Sequence, residues 1–256
     1  TIRTTPSLEH LDISRVNLSV LPTEAFLECT NIKSVILPNT LTAIKSYALS
    51  KTLLVSISIP ASVETIEEYA FEGCEALTSI EIPASVEKIG ELAFYGCTSL
   101  QTVTFKKGSQ LKTIEMSVFG HCKALASIEI PASVETIGRN VVNGCTSLKT
   151  VTFEKGSQLL TVDGYYNYGA FSDCTALTTV DMSACTQVTE IGGYIFYEDS
   201  QLQLFKIGTR TPPSCGYNVF MGINSYSVLK VPAGCVDAYK KAAGWNKFTT
   251  ISELDE

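Results

Sequence analysis

A short motif returns along almost the whole chain at intervals of twenty-odd residues. Ala70-Phe71-Glu72-Gly73-Cys74 comes back as Ala93-Phe94-Tyr95-Gly96-Cys97, and Ile82-Pro83-Ala84-Ser85-Val86-Glu87 as Ile130-Pro131-Ala132-Ser133-Val134-Glu135. Cys97-Thr98-Ser99-Leu100 returns as Cys145-Thr146-Ser147-Leu148, and Lys107-Gly108-Ser109-Gln110-Leu111 as Lys155-Gly156-Ser157-Gln158-Leu159. Apolar centres fall at Leu11, Val35, Ile57, Ile80, Val103, Ile128, Val151, Val180, Phe205 and Leu229, with spacings of 24, 22, 23, 23, 25, 23, 29, 25 and 24. A unit this short cannot bury its apolar face alone. Stacked units can, so a sustained period of this length means a solenoid. No linker or composition shift interrupts the array. Residues 1–256 therefore read as a single domain, with repeats over about 5–232 and a cap over 233–256.

Each unit reads C-x-x-L-x-x-[IV]-x-[IFL], often followed by Pro, then V-x-x-I, then A-F-x-G up to the next Cys. The L-x-x-[IV]-x-[IFL] core at this period is the leucine-rich repeat signature, in which every unit gives one short strand to a parallel sheet. The expected fold class is α/β: a right-handed leucine-rich repeat solenoid of about ten repeats. Short parallel strands would line the concave face, short helical or turn segments the convex side, and a helical cap would close the C-terminal end. Strand side chains alternate faces, so Ile80 and Ile82 should point inward, and Ser79 and Glu81 outward. At about 4.8 Å per strand, ten strands span roughly 45 Å.

The core is legible by position. Phe26, Phe71, Phe94, Phe119, Val142, Phe171, Phe196 and Phe220 recur at one place in the unit and should stack as a spine. Gly73, Gly96 and Gly144 precede their cysteines, with His121 and Asp173 in their place elsewhere. Gly is the default where φ is positive, and Asp and His are among the better substitutes, so His121 reads as a turn residue. Residues 235–243 read as a helix stopped by Gly244, with Trp245 and Phe248 covering the last core layer. Of nine cysteines, Cys29, Cys74, Cys97, Cys122, Cys145 and Cys174 share one repeat position, and Cys185, Cys215 and Cys235 lie outside it. Stacked units give the ladder cysteines parallel Cβ vectors, which disfavours disulfides, so buried thiols are expected. The redox state of Cys185 and Cys215 stays open.

The pattern C-x-x-L-x-x-I-x-I-P-x-x-V-x-x-I-x-x-x-A-F resembles the BspA-like leucine-rich repeats of bacterial surface proteins, over about Thr5 to Pro232. The tail from Val231 to Phe248 is similar to a terminal segment common in such proteins. The resemblance implies export and display on the cell surface. It also implies adhesion to host matrix proteins or other cells, or contact with glycans, and no enzymatic activity. The pattern breaks at Lys51-Thr52, where a residue and the Cys are missing, at 164–169, where four residues are inserted, and at the irregular stretch 211–221.

Little in the chain suggests chemistry. A nucleophile needs a base in reach, and His10 and His121 are the sole histidines. His10 falls on an outward strand position, and Cys122 beside His121 should face the core. No phosphate-binding or dinucleotide fingerprint occurs, no C-x-x-C pair exists, and no cofactor is implied. The net charge of −7 argues against a nucleic-acid binder, and no apolar run approaches the length of a membrane span. The partner classes left are a host or cell-surface protein, or a glycan, bound by a monomer at the cell surface or outside the cell.

Two surfaces are candidates. One outward row of the sheet reads His10, Ser34, Ser56, Ser79, Thr102, Ser127, Thr150, Thr179, Leu204, Val228; its neighbour reads Asp12, Ile36, Ser58, Glu81, Thr104, Glu129, Thr152, Asp181, Lys206, Lys230. Concave faces are the usual binding surfaces of solenoids. The candidate contacts there are Ser79, Glu81, Thr102, Thr104, Ser127, Glu129, Thr150, Thr152 and Asp181, although Ser and Thr also suit a crowded sheet for packing reasons alone. The second surface is the insertion, whose Tyr165, Tyr166 and Tyr168 sit between Gly164 and Gly169. These rings either serve contact or lie down on Tyr194 and Tyr197 of the next repeat.

Overall fold

The computed structural model describes residues 8–166 and 168–255. The start of the first repeat at 5–7 and Asn167 of the insertion lie outside the described residues. Short parallel strands stack along one side of a solenoid: His10–Asp12, Ser34–Ile36, Ser79–Ile82, Thr102–Phe105, Ser127–Ile130, Thr150–Phe153, Thr179–Met182, Leu204–Ile207 and Val228–Val231. Along the four-residue strands, inward members such as Ile80, Ile82, Val180 and Met182 are buried and the outward ones are not, with the inward Phe105 half-buried. The repeat around Ile57 gives no strand to this side. That unit is one residue short at Lys51-Thr52, and it meets its neighbours through single bonds such as Val55 N–H to the Lys33 carbonyl. The ladder also opens between Thr102–Phe105 and Ser127–Ile130.

The α/β class does not hold. The described residues contain one α-helix, Val236–Lys241, and the opposite side of the solenoid is itself a parallel sheet. Its nine strands are two residues each, including Thr65–Ile66, Lys88–Ile89 and Thr136–Ile137 from the V-x-x-I stretch and Thr113–Ile114 from its Leu-headed equivalent. Two facts decide strand over helix here. Pro60, Pro83 and Pro131 lack an N–H for a helical ladder, and the few residues before the next turn are too short for a stable helix. Their backbone donors pair with the preceding unit instead, as in Glu64 N–H to the Thr42 carbonyl and Glu87 N–H to the Glu64 carbonyl.

A tight corner follows. Phe71 N–H donates to the Ala93 carbonyl, Phe94 to Val118 and Phe119 to Val141, which knits each corner to the next. Two columns of this corner are left-handed. One holds Gly73, Gly96, His121, Gly144 and Asp173, with φ from 56° to 70° as the spacing predicts. The other holds Asn140, which tolerates this conformation, and Tyr47, Tyr69, Leu92, Ser117 and Tyr194, which resist it, all at φ 55–57°. Each costs about 1–2 kcal/mol in isolation; the inter-repeat hydrogen bonds hold them there.

The phenylalanine spine forms. Phe71 and Phe94 stack at 4.9 Å, Phe94 and Phe119 at 5.5 Å, Phe171 and Phe196 at 5.8 Å, and Phe196 and Phe220 at 6.0 Å, with Val142 breaking the column. The cap is only partly helical. Its helix is shorter than 235–243, a single 3-10 turn Trp245–Lys247 follows, and Thr250–Glu253 then adds a further parallel strand beside Val228–Val231. Trp245 and Phe248 do close the core: Trp245 packs on Phe205 and Phe220 and donates its indole N–H to the Pro213 carbonyl at 2.8 Å.

The cysteine column has a specific geometry. Each thiol donates back across one repeat to a backbone carbonyl: Cys97 to Phe71, Cys122 to Phe94, Cys145 to Phe119 and Cys174 to Val142, at 3.1–3.3 Å. None of the nine is in a disulfide, and Cys215 is the one that is not fully buried. Burial pushes the Cys74 thiol up to about 11 and those of Cys185 and Cys215 up to about 12. Thiols held in the protonated form react poorly. A neutral-pH titration with an aromatic disulfide should therefore register at most Cys215 in the native protein and all nine after denaturation. Rapid reaction of several native thiols would contradict the ladder.

Candidate interaction surfaces

The sheet register brings the expected rows together. Ser79 pairs with Thr102 and Glu81 with Thr104; Ser127 with Thr150 and Glu129 with Thr152; Thr150 with Thr179 and Thr152 with Asp181. The rows continue into Leu204 and Lys206, then Val228 and Lys230. Ser79, Glu81, Thr102, Thr104, Ser127 and Glu129 are exposed, whereas Thr150, Thr152 and Asp181 are half-buried. The open seam divides Ser79, Glu81, Thr102 and Thr104 from the other five.

Electrostatically this face is largely self-satisfied. Lys106 lies 3.1 Å from Glu81, and Lys206 lies 2.8 Å from Asp181. Burial works to raise the Asp181 carboxyl, but hydrogen bonds from Lys206 and Ser183 outweigh it and hold its pKa below the usual value. Exposed pairs of this kind contribute little to stability, about 0–1 kcal/mol, yet they do cancel field. Of the three candidate carboxylates Glu81, Glu129 and Asp181, Glu129 alone makes no ion pair among the described residues. At the first repeat, His10 Nδ1 meets Ser34 Oγ at 2.7 Å, a link between neighbouring strands rather than a catalytic pair. His121 is likewise spoken for: it sits at φ 56° in edge contact with Tyr95, while the Cys122 thiol points to the Phe94 carbonyl. Among the described residues no three His, Cys, Asp or Glu side chains are placed to hold a metal ion, and no helix is long and apolar enough to cross a membrane.

The insertion is a different kind of surface. Gly164–Tyr165 and Tyr168–Gly169 pair antiparallel, so the insertion folds back on itself as a miniature hairpin. It is seated directly on the next repeat. A Cβ on Gly164 would lie 2.1 Å from the Gly193 carbonyl oxygen, and one on Gly169 would lie 2.0 Å from that of Tyr194. Glycine is thus required at both feet by backbone approach, and Gly193 N–H donates to the Gly164 carbonyl at 3.0 Å. The rings do not lie down. Tyr165, Tyr166 and Tyr168 remain 69%, 66% and 55% exposed. Tyr166 touches Tyr194 at 5.9 Å, and Tyr194 in turn meets Tyr197 and Tyr217 at 6.0 Å. Tyr194 is the buried centre of this step; its hydroxyl accepts the Asn218 side-chain amide at 3.0 Å. Tyr217 is 75% exposed and extends the step into the next repeat, a member that lies in the irregular 211–221 stretch and was not singled out from the sequence. Its signal is register: Tyr217-Asn218 occupies the corner that Gly193-Tyr194 fills one unit earlier. The Tyr197 phenol is pushed up, first by its hydrogen bond to Glu198 and then by that carboxylate's charge.

Comparison with known proteins agrees with the geometry. The BspA type leucine rich repeat region matches in six copies over residues 2–77, 64–169 and 112–246. No curated protein matches the sequence. Among solved structures, a leucine-rich repeat protein from Bacteroides ovatus is 20% identical with a TM-score of 0.54, covering 96% of this chain and 61% of its own. The chain therefore spans less than two thirds of that protein. The Treponema pallidum leucine rich repeat protein is 24% identical with a TM-score of 0.53, covering 82% of this chain and 83% of its own. The pneumococcal vaccine antigen PcpA is 18% identical with a TM-score of 0.50, covering 97% and 89%. Identities this low carry the fold alone. With the repeat pattern, the two-sheet solenoid and a family match over most of its length, the chain belongs to the BspA-type leucine-rich repeat family.

Proposed function

We propose that the protein is a non-enzymatic scaffold, acting outside the cell or at its surface as a single repeat domain, that binds a protein partner chiefly through the tyrosine step. The exposure of Tyr165, Tyr166, Tyr168 and Tyr217 carries this reading. Exposed aromatic clusters mark contact sites, and Tyr supplies large contact area at low entropic cost. The hairpin feet are fixed by backbone contact, so little ordering remains to oppose association. The sheet rows from Ser79 to Asp181 serve as a secondary contact, because their hydroxyls are neutral and two of their carboxylates are already paired. Membership of the BspA-type repeat family supports an exposed location. A glycan is the second reading, favoured by the same open ring faces.

The test is a biosensor panel of immobilised matrix proteins and glycans, run with the native protein, the double variant Tyr165→Ala/Tyr166→Ala, and Glu129→Lys. Saturable capture of a protein that falls at least about tenfold in the tyrosine variant supports the proposal, since anchor residues at a contact centre are worth 2 kcal/mol or more. Protein capture that ignores the tyrosines and fails on Glu129→Lys moves the site to the sheet. A glycan hit that fails on the tyrosine variant selects the second reading.

A further inference from the structure

The charge around the tyrosine step is one-sided. Between Lys155 and Lys206 the chain carries no Lys, Arg or His; of its acids, Asp181 is paired with Lys206 and Asp199 is fully buried, which leaves Asp163, Asp173, Glu190 and Glu198 with no ion-pair partner among the described residues. This stretch supplies the hairpin, its seat and most of the rings. Asp163 is exposed and directly precedes Gly164–Tyr165. Glu198 is exposed, hydrogen-bonded to the Tyr197 hydroxyl, and Asp173 also acts on that phenol.

We propose that the step receives basic side chains of the partner polypeptide, arginine in preference to lysine; this rests on the scaffold reading above and names the chemistry it recognises. Aromatic faces are electron-rich and attract a cation placed over them. Here the rings of Tyr165, Tyr166, Tyr194, Tyr197 and Tyr217 are tilted by 45–66° to their neighbours. They form walls rather than a flat shelf, which suits a side chain entering between them better than a sugar ring laid on top. Carboxylates beside the rings then pair with the cation's outer edge. Guanidinium is planar, weakly hydrated and able to stack while it donates to a carboxylate, so it exploits both features, whereas ammonium does so less well. Beyond Tyr217 a hollow of about 570 Å³ opens between Pro212, Pro213, Ala242, Ala243 and Gly244, with no charged group in its lining, and takes an aliphatic stem. Elsewhere on the surface the carboxylates of Glu67, Glu81 and Glu135 are held by Lys45, Lys106 and Lys112. A cation reaching those sites must displace a lysine; at the step no such pair is found among the described residues.

The experiment is fluorescence anisotropy of labelled oligo-arginine, oligo-lysine and oligo-citrulline peptides of equal length, at low and physiological salt. Oligo-arginine should bind about tenfold tighter than oligo-lysine, and oligo-citrulline should not bind. Tyr166→Ala/Tyr217→Ala should weaken oligo-arginine about tenfold, as should Asp163→Asn/Glu198→Gln, while the remote pair Glu68→Gln/Glu91→Gln leaves it unchanged. Equal binding of the citrulline peptide, or equal binding to the native protein and both step variants, would overturn the proposal. If oligo-arginine does not bind but the tyrosine variants still lose a captured protein, the cation chemistry fails and the scaffold reading stands. If the tyrosine variants keep both, the step is not the site.

Discussion

Asp199→Asn is expected to make the protein more stable at pH 8 and to flatten its dependence of stability on pH. Asp199 occupies the place in the unit that a cysteine fills in the preceding repeats, and it is fully buried. One carboxyl oxygen accepts the Cys174 backbone N–H at 2.8 Å; the other has no partner. Burial pushes the carboxyl up to about 9, with the charges of Asp173 and Glu198 adding to it. The sign follows from proton counting. In the unfolded chain this group ionises near the ordinary aspartate value of 3.8, so between that pH and about 9 the folded state holds one more proton than the unfolded state. Stability therefore falls as pH rises through that window, by up to about 1.4 kcal/mol per pH unit for a single site. From pH 5 to pH 8 the native protein should lose roughly 4 kcal/mol to this one group. Asparagine has the shape of the neutral acid, keeps an acceptor for Cys174, and has no proton to lose. Urea denaturation at several pH values should show the two proteins keeping a constant difference below about pH 4 and diverging steadily from there to about pH 9. Parallel profiles would mean that Asp199 ionises in place or that water reaches it.

The consequence reaches the binding surface. Asp199 lies two residues after Tyr197 and directly after Glu198, and the Phe196 carbonyl accepts its N–H. The most pH-sensitive point of the core thus sits under the tyrosine step. A solenoid loses structure unit by unit, because each repeat contacts only its neighbours. Loosening at alkaline pH should begin in this repeat, where the rings are held.

What the sequence made legible tracks what is periodic. The strand register, the phenylalanine spine, the left-handed column at Gly73, Gly96, His121, Gly144 and Asp173, and the role of Trp245 all repeat or close a repeat, and each follows from stacking. The second sheet was missed because a two-residue strand has no periodicity of its own. Thr65–Ile66 or Thr113–Ile114 becomes a strand only through pairing with its copies in adjacent units. The left-handed column at Tyr47, Tyr69, Leu92 and Ser117 carried no signal either, since those residue types speak against the conformation that the corner imposes. At the candidate site, composition drew attention to Tyr165, Tyr166 and Tyr168, but neither their posture nor the share of Tyr217 could be read there. Those depend on how Gly164 and Gly169 meet the carbonyls of Gly193 and Tyr194 one turn away.

Phe94→Ala should be the most damaging single truncation, costing roughly 3–5 kcal/mol. Phe94 is fully buried in the middle of the array. Its ring stacks on Phe71 with an interplanar angle of 9° and on Phe119 with 15°, so removing it exposes one face of each neighbour to a void. Backbone hydrogen bonds fix the corner on both sides: Phe94 N–H donates to the Val118 carbonyl, and the Phe94 carbonyl accepts the Cys122 thiol. The walls therefore cannot collapse inward, and a cavity that cannot collapse carries the full penalty. Two comparisons separate this account from a generic loss of apolar surface. Phe94→Leu should cost far less, because Val142 shows that an aliphatic side chain can hold a place in the same column. Phe26→Ala should also cost less: it lies near the N-terminal end, where Leu11, Ile13 and Leu18 are only partly buried and the packing can relax. Urea midpoints of the three variants test the order. If Phe26→Ala proves as damaging as Phe94→Ala, the spine does not act as a stack whose centre is held from both sides, and the stability of the array comes instead from its two sheets.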